Sequence, residues 1–183
     1  MIRIFIGYDS NETVAFHVLS HSIIRHASGP VSITPLVLRQ MQINRERNEY
    51  QSTDFAFTRF LVPWLCKYEG TALFLDCDML MRDDVYKLHA FEHTSPVAVV
   101  KHEYTPTTDT KFLGRTQSRY PKKNWSSVML FNNDLCRGLT PKVVEKATGL
   151  YLHQFLWAED VAELEPTWNH LVGEYAPNPN AKN

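Results

Sequence analysis

Two carboxylates follow an apolar run near the middle of the chain, where Asp76 and Asp78 flank Cys77 directly after Leu73-Phe74-Leu75. In extended backbone, residues i and i+2 direct their side chains to the same side. Two facing carboxylates repel each other unless a cation lies between them. Hard oxygen ligands suit Mg²⁺ or Mn²⁺, with water and substrate phosphates completing the coordination. The pair therefore predicts a metal site at Asp76 and Asp78, although two acids that simply end a strand in solvent give the same short motif.

A third acid stands at the end of the first apolar run, where Ile4-Phe5-Ile6 leads into Gly7-Tyr8-Asp9. In open α/β sheets, ligands bind at the carboxyl ends of the strands. The sequence therefore predicts that Asp9 and the aspartate pair serve one ligand-binding edge. Asp9 and Glu12 also have the spacing of a capping box, which predicts that a helix begins at Asp9.

The region around the aspartate pair resembles a known enzyme family. Residues 72–85 resemble the D-x-D segment of family 8 glycosyltransferases and their GT-A-fold relatives. Residues 57–63 are similar to the family's helix that carries a nucleotide-contacting arginine, here Arg59. Residues 4–9 are similar to its first strand, whose end holds the uracil and ribose of a UDP-sugar. These blocks occur in the family's order along the chain.

The resemblance continues downstream with some departures. Residues 127–132 resemble the family's N-x-G-V-x-x-x-N strand, with Ser127 in place of its glycine and Trp125 in place of its asparagine. Asn124 lies one position early. His153-Gln154, followed by Trp168-Asn169, resembles the D-Q and W-N region, with His153 in place of the aspartate.

The printed chain ends at Asn183, before the late histidine motif that supplies the family's third metal ligand. The resemblance therefore implies either a truncated chain or a metal held by fewer protein ligands. If another residue supplies the third ligand, His102, His153 and His170 are the candidates.

The resemblance implies a Mn²⁺- or Mg²⁺-dependent glycosyltransferase that moves a sugar from a nucleotide-sugar, UDP-linked, to an acceptor with retention of configuration. The implied residues are catalytic Gln154 and Asp78, nucleotide-binding Gly7, Tyr8, Asp9, Arg59 and Asp76, acceptor- or sugar-binding Asn124 and Trp125, and metal-binding Asp76 and Asp78. None of these side chains is an obvious nucleophile. An alternative is a nucleotide-sugar-binding module of the same fold that does not turn over.

The apolar runs predict an α/β fold, a mostly parallel sheet flanked by helices. The resemblance implies that this is a GT-A fold that forms a single nucleotide-sugar-binding domain over residues 1–183. Beyond the first strand, the predicted strands are Val31–Leu38, Thr71–Leu75, Pro96–Lys101 and Ser127–Phe131. The predicted helices begin at Asp9, at Asp54 with Pro63 expected to kink or shorten it, at Asp84 and at Thr140 with Pro141.

Composition excludes several classes of protein. The 183 residues carry a net charge of −1 and 21% charged side chains, which argues against a strongly basic nucleic-acid binder and against global disorder. No apolar run approaches the roughly 18–20 residues that span a bilayer. The amino terminus has no signal-peptide pattern, and three scattered cysteines imply no disulfide framework. The sequence therefore predicts a soluble, cytoplasmic domain.

Two further patterns compete with this interpretation. His89 and His93 fit the H-x-x-E-H signature of a zinc peptidase, but the segment is too short for the helix that must present both histidines. Residues 101–123 combine basic and aromatic side chains, which suits an anionic acceptor or single-stranded nucleic acid. A solvated surface loop is the simpler interpretation. The acceptor therefore stays open between glycan, protein and nucleic acid.

Overall fold

The computed structural model of the chain describes residues 1–45, 53–103 and 122–183. Its sheet has six strands in the order β2-β1-β3-β5-β4-β6, and all except β5 run in the same direction. The strands are β1 (Ile2–Tyr8), β2 (Val31–Val37), β3 (Thr71–Leu75), β4 (Val97–Val99), β5 (Val128–Asn132) and β6 (Val161–Glu163). The chain thus forms a single α/β domain with a mostly parallel sheet flanked by helices, which confirms the predicted fold class.

The helices are short apart from the first one. They are α1 (Thr13–His26), α2 (Val62–Leu65), α3 (Val85–His89), α4 (Pro141–Lys146) and α5 (Gly149–His153). Turns of 3₁₀-helix cover Leu38–Gln40, Thr58–Leu61, Trp125–Ser127, Asn133–Leu135 and Pro166–Asn169. In the described ranges, no helix has both the length and the apolar character needed to cross a membrane.

The central strands are apolar on both faces because helices cover both sides of the sheet. Ile4 of β1 and Leu73 of β3 are fully buried on one face of the sheet, and their neighbours Phe5 and Phe74 are buried on the other face. Pro35 lies in β2, which among the described strands pairs with β1 alone, and an edge strand tolerates the missing backbone donor of proline. The core is therefore centred on β1, β3 and β5.

Strand β5 brings distant parts of the chain to one edge of the sheet because it runs antiparallel to β3. Leu75, the last residue of β3, lies opposite Val128, the first residue of β5. One step further, the amide of Asp76 donates to the carbonyl of Ser127 at 2.9 Å. The turn before β5 therefore meets the carboxyl end of β3.

The predicted capping box at Asp9 and Glu12 is wrong. Helix α1 begins four residues later, at Thr13. The carboxylate of Asp9 instead accepts the amide of Asn11 at 2.9 Å, which closes a tight turn, and Glu12 accepts a hydrogen bond from the thiol of Cys77. The acids therefore shape the approach to the helix rather than its first turn.

The helix predicted to begin at Asp54 is also wrong. Turns occupy the first residues of this segment, and only Thr58–Leu61 and α2 are helical. Pro63 is at the start of α2, where its missing amide costs no hydrogen bond. The aromatic residues of this segment point into the core, so burial rather than helical periodicity decides its path.

The other helix starts are confirmed within a residue. Asp84 caps α3 by accepting the amide of Tyr86 at 3.0 Å. Thr140 caps α4 by accepting the amide of Val143 at 3.2 Å, with Pro141 as the first helical residue. Helix α5 and strand β6 were not predicted.

Candidate functional site

The aspartate pair follows β3 in a turn and not in extended backbone. Strand β3 ends at Leu75, and Cys77 and Asp78 form the turn. The expectation that Asp76 and Asp78 face the same side as alternating strand residues is therefore wrong. Asp76 is half-buried against the sheet, whereas Asp78 is exposed. The two carboxylates thus have different environments and different partners.

Asp76 forms an ion pair with a buried arginine. The distance from Arg59 Nη1 to Asp76 Oδ1 is 2.9 Å, and the arginine is only 5% exposed. The guanidinium also donates to the carbonyl of Ser126 at 2.8 Å and to that of Phe55 at 3.4 Å. The Arg59 side chain is thereby fixed by contacts with three separate parts of the chain, and its charge compensates that of Asp76.

A hydrogen-bonded chain extends from Arg59 to the end of α5. Ser126 Oγ accepts from Arg59 Nη1 at 3.4 Å and lies 2.9 Å from His153 Nδ1. The guanidinium can only donate, whereas the serine hydroxyl can donate or accept, so the tautomer of His153 decides which of Ser126 Oγ and His153 Nδ1 donates. The ring of His153 packs edge-on against Phe60. Asp76, Arg59, Ser126 and His153 therefore form one connected set.

Gln154 follows His153 in a constrained backbone. Its carbonyl accepts from Lys122 Nζ at 2.9 Å. The next residue, Phe155, has a φ of 57°, which is rare for a bulky side chain and requires support from its surroundings. Phe155 is buried beside the rings of Trp125 and Trp157. The position of Gln154 beside the connected set is thus held from both sides.

Asn124 and Trp125 lie at the turn that leads into β5. Asn124 adopts a left-handed conformation, with φ 62°, which asparagine tolerates better than most residues, and its carbonyl accepts from Asn169 Nδ2 at 3.2 Å. The indole nitrogen of Trp125 donates to the carbonyl of His102 at 3.0 Å. The ammonium groups of Lys101 and Lys122 lie 5.9 and 5.4 Å from the Trp125 ring centre. An anchored aromatic ring with two cations nearby therefore borders the site.

The end of β1 carries the segment that precedes Arg59. A side chain at Gly7 would meet the ring of Phe55, since an added Cβ would lie 2.3 Å from that ring. Asp9 is 1% exposed and accepts the amide of Asp54 at 3.1 Å. Tyr8 contacts Thr13 through its hydroxyl at 3.5 Å. Gly7 and Asp9 thus hold Phe55 in place at the end of β1. The carbonyl of Phe55 in turn accepts a hydrogen bond from the guanidinium of Arg59.

Cys77 lies between the two aspartates but is buried. Its thiol donates to Glu12 Oε2 at 3.3 Å. Burial raises the pKa of this thiol strongly, and the neighbouring carboxylate of Glu12 raises it further. A thiol that stays protonated is a poor nucleophile, so Cys77 packs the turn and does not attack a substrate.

No group of three or more candidate metal ligands lies together in the described part of the chain. The histidines proposed as third ligands have other partners: His102 Nδ1 lies 3.0 Å from the hydroxyl of Tyr175, and the ring of His170 contacts Tyr175. His153 belongs to the connected set. The aspartate pair therefore offers two hard ligands, one of them already paired with Arg59.

The zinc-peptidase pattern is not presented on one helix. Helix α3 ends at His89, so His93 lies beyond it. His89 Nε2 contacts the hydroxyl of Thr71 at 2.8 Å. The two histidines therefore lack the rigid helical spacing that the motif requires.

The chain has a close relative among characterised sequences. It is 41% identical over 180 residues to Protein CDI of Arabidopsis thaliana, and the match covers 93% of this chain and 70% of the relative. The chain belongs to the Protein CDI family. No model of a protein family matches the sequence.

Solved structures with a similar fold are glycosyltransferases. A galactosyltransferase, LgtC, in complex with donor and acceptor sugar analogs has a TM-score of 0.62 at 13% identity, over 91% of this chain and 74% of LgtC. The glycosyltransferase GlyE of Streptococcus pneumoniae has a TM-score of 0.58 at 14% identity, over 94% of this chain and 47% of GlyE. At these identities the likeness shows the fold alone, which is that of GT-A glycosyltransferases.

The structure brings most of the predicted site residues close to the turn before β5. It also shows contact residues that the sequence did not predict. Asp76, Arg59, Gln154, Asn124 and Trp125 all border the turn before β5. The residues that sequence reasoning missed are Phe55 and Ser126, and Gly7, a small residue at a strand end, is a signal for Phe55. Lys122 belongs to the basic stretch that the sequence had indicated. Much of the predicted basic stretch, residues 104–121, lies outside the described residues.

Proposed function

We propose that the chain is a glycosyltransferase that uses a UDP-sugar as its donor. In this proposal, residues 1–183 form its nucleotide-sugar-binding domain. The observation that supports this most is the ion pair of Asp76 with Arg59, next to the exposed Asp78, at the ligand-binding edge of a GT-A fold. A buried, charge-compensated carboxylate beside an exposed one is an arrangement suited to a charged ligand. Membership of family 8 is the finer proposal, and the motif order supports it.

The aspartate pair fits a divalent cation that completes its coordination elsewhere. Mg²⁺ is often bound through one or two carboxylates, with water and substrate phosphates as the other ligands, and Mn²⁺ also accepts oxygen ligands. Asp78 is exposed and Asp76 is half-buried, so neither side chain is closed off from solvent. When bound, Mn²⁺ or Mg²⁺ would supply positive charge to offset the charge on a departing nucleoside diphosphate.

Other residues would bind and orient the donor. Gly7, Tyr8 and Asp9 would form the pocket for the base and ribose, in part by holding Phe55 in place. Arg59 would keep Asp76 in position and contribute positive charge near the phosphates. Trp125, whose indole is anchored to His102, would present its ring to the sugar or the acceptor, with Asn124 beside it.

In the proposed reaction, the bond between the anomeric carbon and the phosphate oxygen breaks, and the nucleoside diphosphate leaves with the bonding electrons. The oxygen of an acceptor hydroxyl bonds to the anomeric carbon, and its proton is released. Configuration is retained, by resemblance to family 8. Gln154 lies at the reacting face in this proposal, and the contacts of Lys122 and Phe155 fix its backbone.

The test measures UDP release from a panel of UDP-sugars, with Mn²⁺, with Mg²⁺ and with a chelator. We expect release and glycoside formation with either metal, and loss of both with the chelator. Asp78→Asn should lower release at least tenfold and weaken metal-dependent UDP binding, because it keeps the size of the side chain but removes one charge that opposes the cation. Asp83→Asn changes a half-buried aspartate that pairs with Lys87 outside the site, and this control should leave release unchanged.

The outcomes separate the alternatives. UDP-sugar binding without release or transfer would replace the enzyme with a binding module of the same fold. UDP release that persists in the presence of chelator would contradict the proposed metal dependence. Equal Mn²⁺·UDP affinity in Asp78→Asn and the parent would contradict the proposal that Asp78 is a metal ligand. The absence of both binding and release for every nucleotide-sugar tested would overturn the proposed function.

A further inference from the structure

Helix α1 has an unusual outer face. Its inner face packs on the sheet through Leu19 and Ile23, which are fully buried. The outward stripe contains exposed aliphatic, histidine and arginine side chains: Val14, His17, Val18, His21, Ile24 and Arg25. The three aliphatic members are 76%, 47% and 63% exposed, in chain order. An amphipathic helix normally turns polar residues to solvent, so an apolar stripe on this side indicates a surface that is covered by something.

The same stripe carries a pair of histidines with metal-binding spacing. His17 and His21 are four residues apart, so they lie one above the other, with Cβ atoms about 5–6 Å apart. Two histidines at i and i+4 on a helix face can bind one metal ion. Helix α1 contains no Asp or Glu, so the outer face offers no hard oxygen ligand from an acid. Imidazole alone favours Zn²⁺, Cu²⁺ or Ni²⁺ over Mg²⁺ or Mn²⁺.

We propose that this face binds Zn²⁺ through His17 and His21, and that a second copy of the chain supplies the same pair to complete the site. Zinc in a structural site takes four ligands in a tetrahedron. The described residues place no third candidate ligand with these two, so one chain leaves the coordination half filled. A two-fold symmetric contact presents the same patch from both copies, which brings the number of histidines to four.

The flanking aliphatic side chains fit this dimer. Val14 and Val18 lie beside the histidines on the stripe, and Ile24 lies further along the helix, so crossing two α1 helices at the metal would bury them against their counterparts. An antiparallel crossing would keep Arg25 of one copy away from Arg25 of the other. One helix from each chain buries much less than the roughly 800 Å² per partner of a stable interface. The dimer should therefore depend on the metal.

This inference is independent of the proposed transferase activity. It uses residues of α1 whereas the transferase uses the turn after β3, and it requires imidazole rather than carboxylate chemistry. The zinc site can thus fail while the transferase proposal holds, and the reverse is also true. The measurements below do not involve a nucleotide-sugar.

The test uses the metal-free chain, titrated with ZnCl₂ by calorimetry, with molar mass followed by light scattering after size exclusion. We expect one zinc per two chains, a dimer with zinc and a monomer after chelation. His17→Gln and His21→Gln should each weaken zinc binding at least tenfold and abolish the zinc-dependent dimer. His26→Gln is the matched control: it is another exposed histidine of α1, off the stripe, with Nδ1 2.9 Å from the carbonyl of Ser22. It should bind zinc and dimerise like the parent.

Val18→Ser separates the packing from the ligands. It keeps both histidines and adds no carboxylate ligand but replaces an aliphatic side chain of the stripe by a small polar one, so it should weaken zinc-dependent dimerisation severalfold. Equal zinc affinity in His17→Gln and the parent would overturn the site. Zinc bound by a chain that stays monomeric at all concentrations would overturn the bridging copy, and a dimer that survives chelation would overturn its dependence on the metal.

Discussion

Asp9 and Asp76 occupy equivalent places at the ends of neighbouring parallel strands, yet their carboxylates have different kinds of partner. Asp9 follows β1, is 1% exposed, and accepts the backbone amides of Asn11 and Asp54 and the side-chain amide of Asn11. Asp76 follows β3, has a 16% exposed side chain, and pairs with the guanidinium of Arg59. A position at the binding edge of the sheet therefore does not by itself show that a carboxylate takes part in ligand binding or catalysis.

The kind of partner distinguishes the two roles. The amides that donate to Asp9 belong to the turns around the strand end. A ligand that displaced them from the Asp9 carboxylate would break hydrogen bonds that hold these turns together. A side-chain cation such as Arg59 also balances charge, so a charged ligand can share or compete for the Asp76 carboxylate. Asp9 is therefore expected to build the pocket, and Asp76 to respond to what enters it.

The largest expected effect comes from removing the cation of the pair at β3. Arg59→Met leaves the carboxylate of Asp76 without this guanidinium and removes the donor to the carbonyl of Ser126. Breaking a buried ion pair typically costs about 3–5 kcal/mol, and the partial exposure of Asp76 argues for the lower end, about 3 kcal/mol. The free energy of unfolding from urea denaturation at pH 7 measures this loss.

A surface pair supplies the matched control for that measurement. Lys87 Nζ lies 2.8 Å from Asp83 Oδ1, at nearly the same distance as the buried pair, but the lysine side chain is 62% exposed. Lys87→Met should leave the free energy of unfolding nearly unchanged, because solvent screens exposed pairs. Similar losses for Arg59→Met and Lys87→Met would mean that burial at the end of β3 adds nothing to its ion pair.

A titratable group at the end of β4 extends the comparison to a third strand. Burial lowers the pKa of His102 to about 4, and its Nδ1 contacts the hydroxyl of Tyr175. In the unfolded chain the pKa of a histidine is about 6.5. Between that pH and pH 4 the unfolded state therefore binds a proton that His102 does not bind in the folded state. Stability should therefore fall as the pH drops through this window and should not change on this account above it.

The measurement compares the parent with His102→Gln by urea denaturation from pH 7 to pH 4. The difference in the free energy of unfolding between the two should shift in favour of the variant as the pH falls, by up to about 3 kcal/mol at pH 4. Taking the difference removes the contribution of carboxylates that titrate in both proteins. A difference that is the same at every pH would show that His102 is protonated as readily in the folded chain as in the unfolded one.

The elements that this comparison rests on could largely be predicted from the sequence. Strand β3 was predicted to the residue, because an apolar run between Gly70 and Asp76 leaves little choice of bounds. The α/β class followed from buried strands that alternate with helical patterns. The three acids at the strand ends were also predicted, since apolar runs stop where polar residues begin.

The partners of those acids could not be predicted in the same way. The bonds of Arg59 to Ser126 depend on β5 lying next to β3 and running against it, which element order alone does not specify. The contact of Phe55 with Gly7 overrides the helical pattern expected from Asp54. The capping box at Asp9 was wrong because its carboxylate has a closer use, the amide of Asn11. Local spacing thus predicted which residues carry charge, and tertiary packing decided what each charge binds.

Substitution of Asp9 tests the distinction between the two strand ends most finely, because its expected effect on ligand binding is small. Asp9→Ala removes the acceptor for the amides of Asn11 and Asp54, and unsatisfied buried donors cost about 1–3 kcal/mol. Asp9→Asn keeps an oxygen acceptor without the charge, so about half of that loss should be recovered. Urea denaturation measures both changes, and the rate of amide hydrogen exchange at Asp54 should rise in the alanine variant.

A binding measurement with Asp9→Asn tests the role of Asp9 in the pocket. If Asp9 only holds the backbone around the pocket, UDP affinity should fall by no more than about threefold, or roughly 0.7 kcal/mol. A stable asparagine variant with much weaker UDP binding would instead give Asp9 a direct contact with the ligand, and the distinction between the two strand ends would be lost.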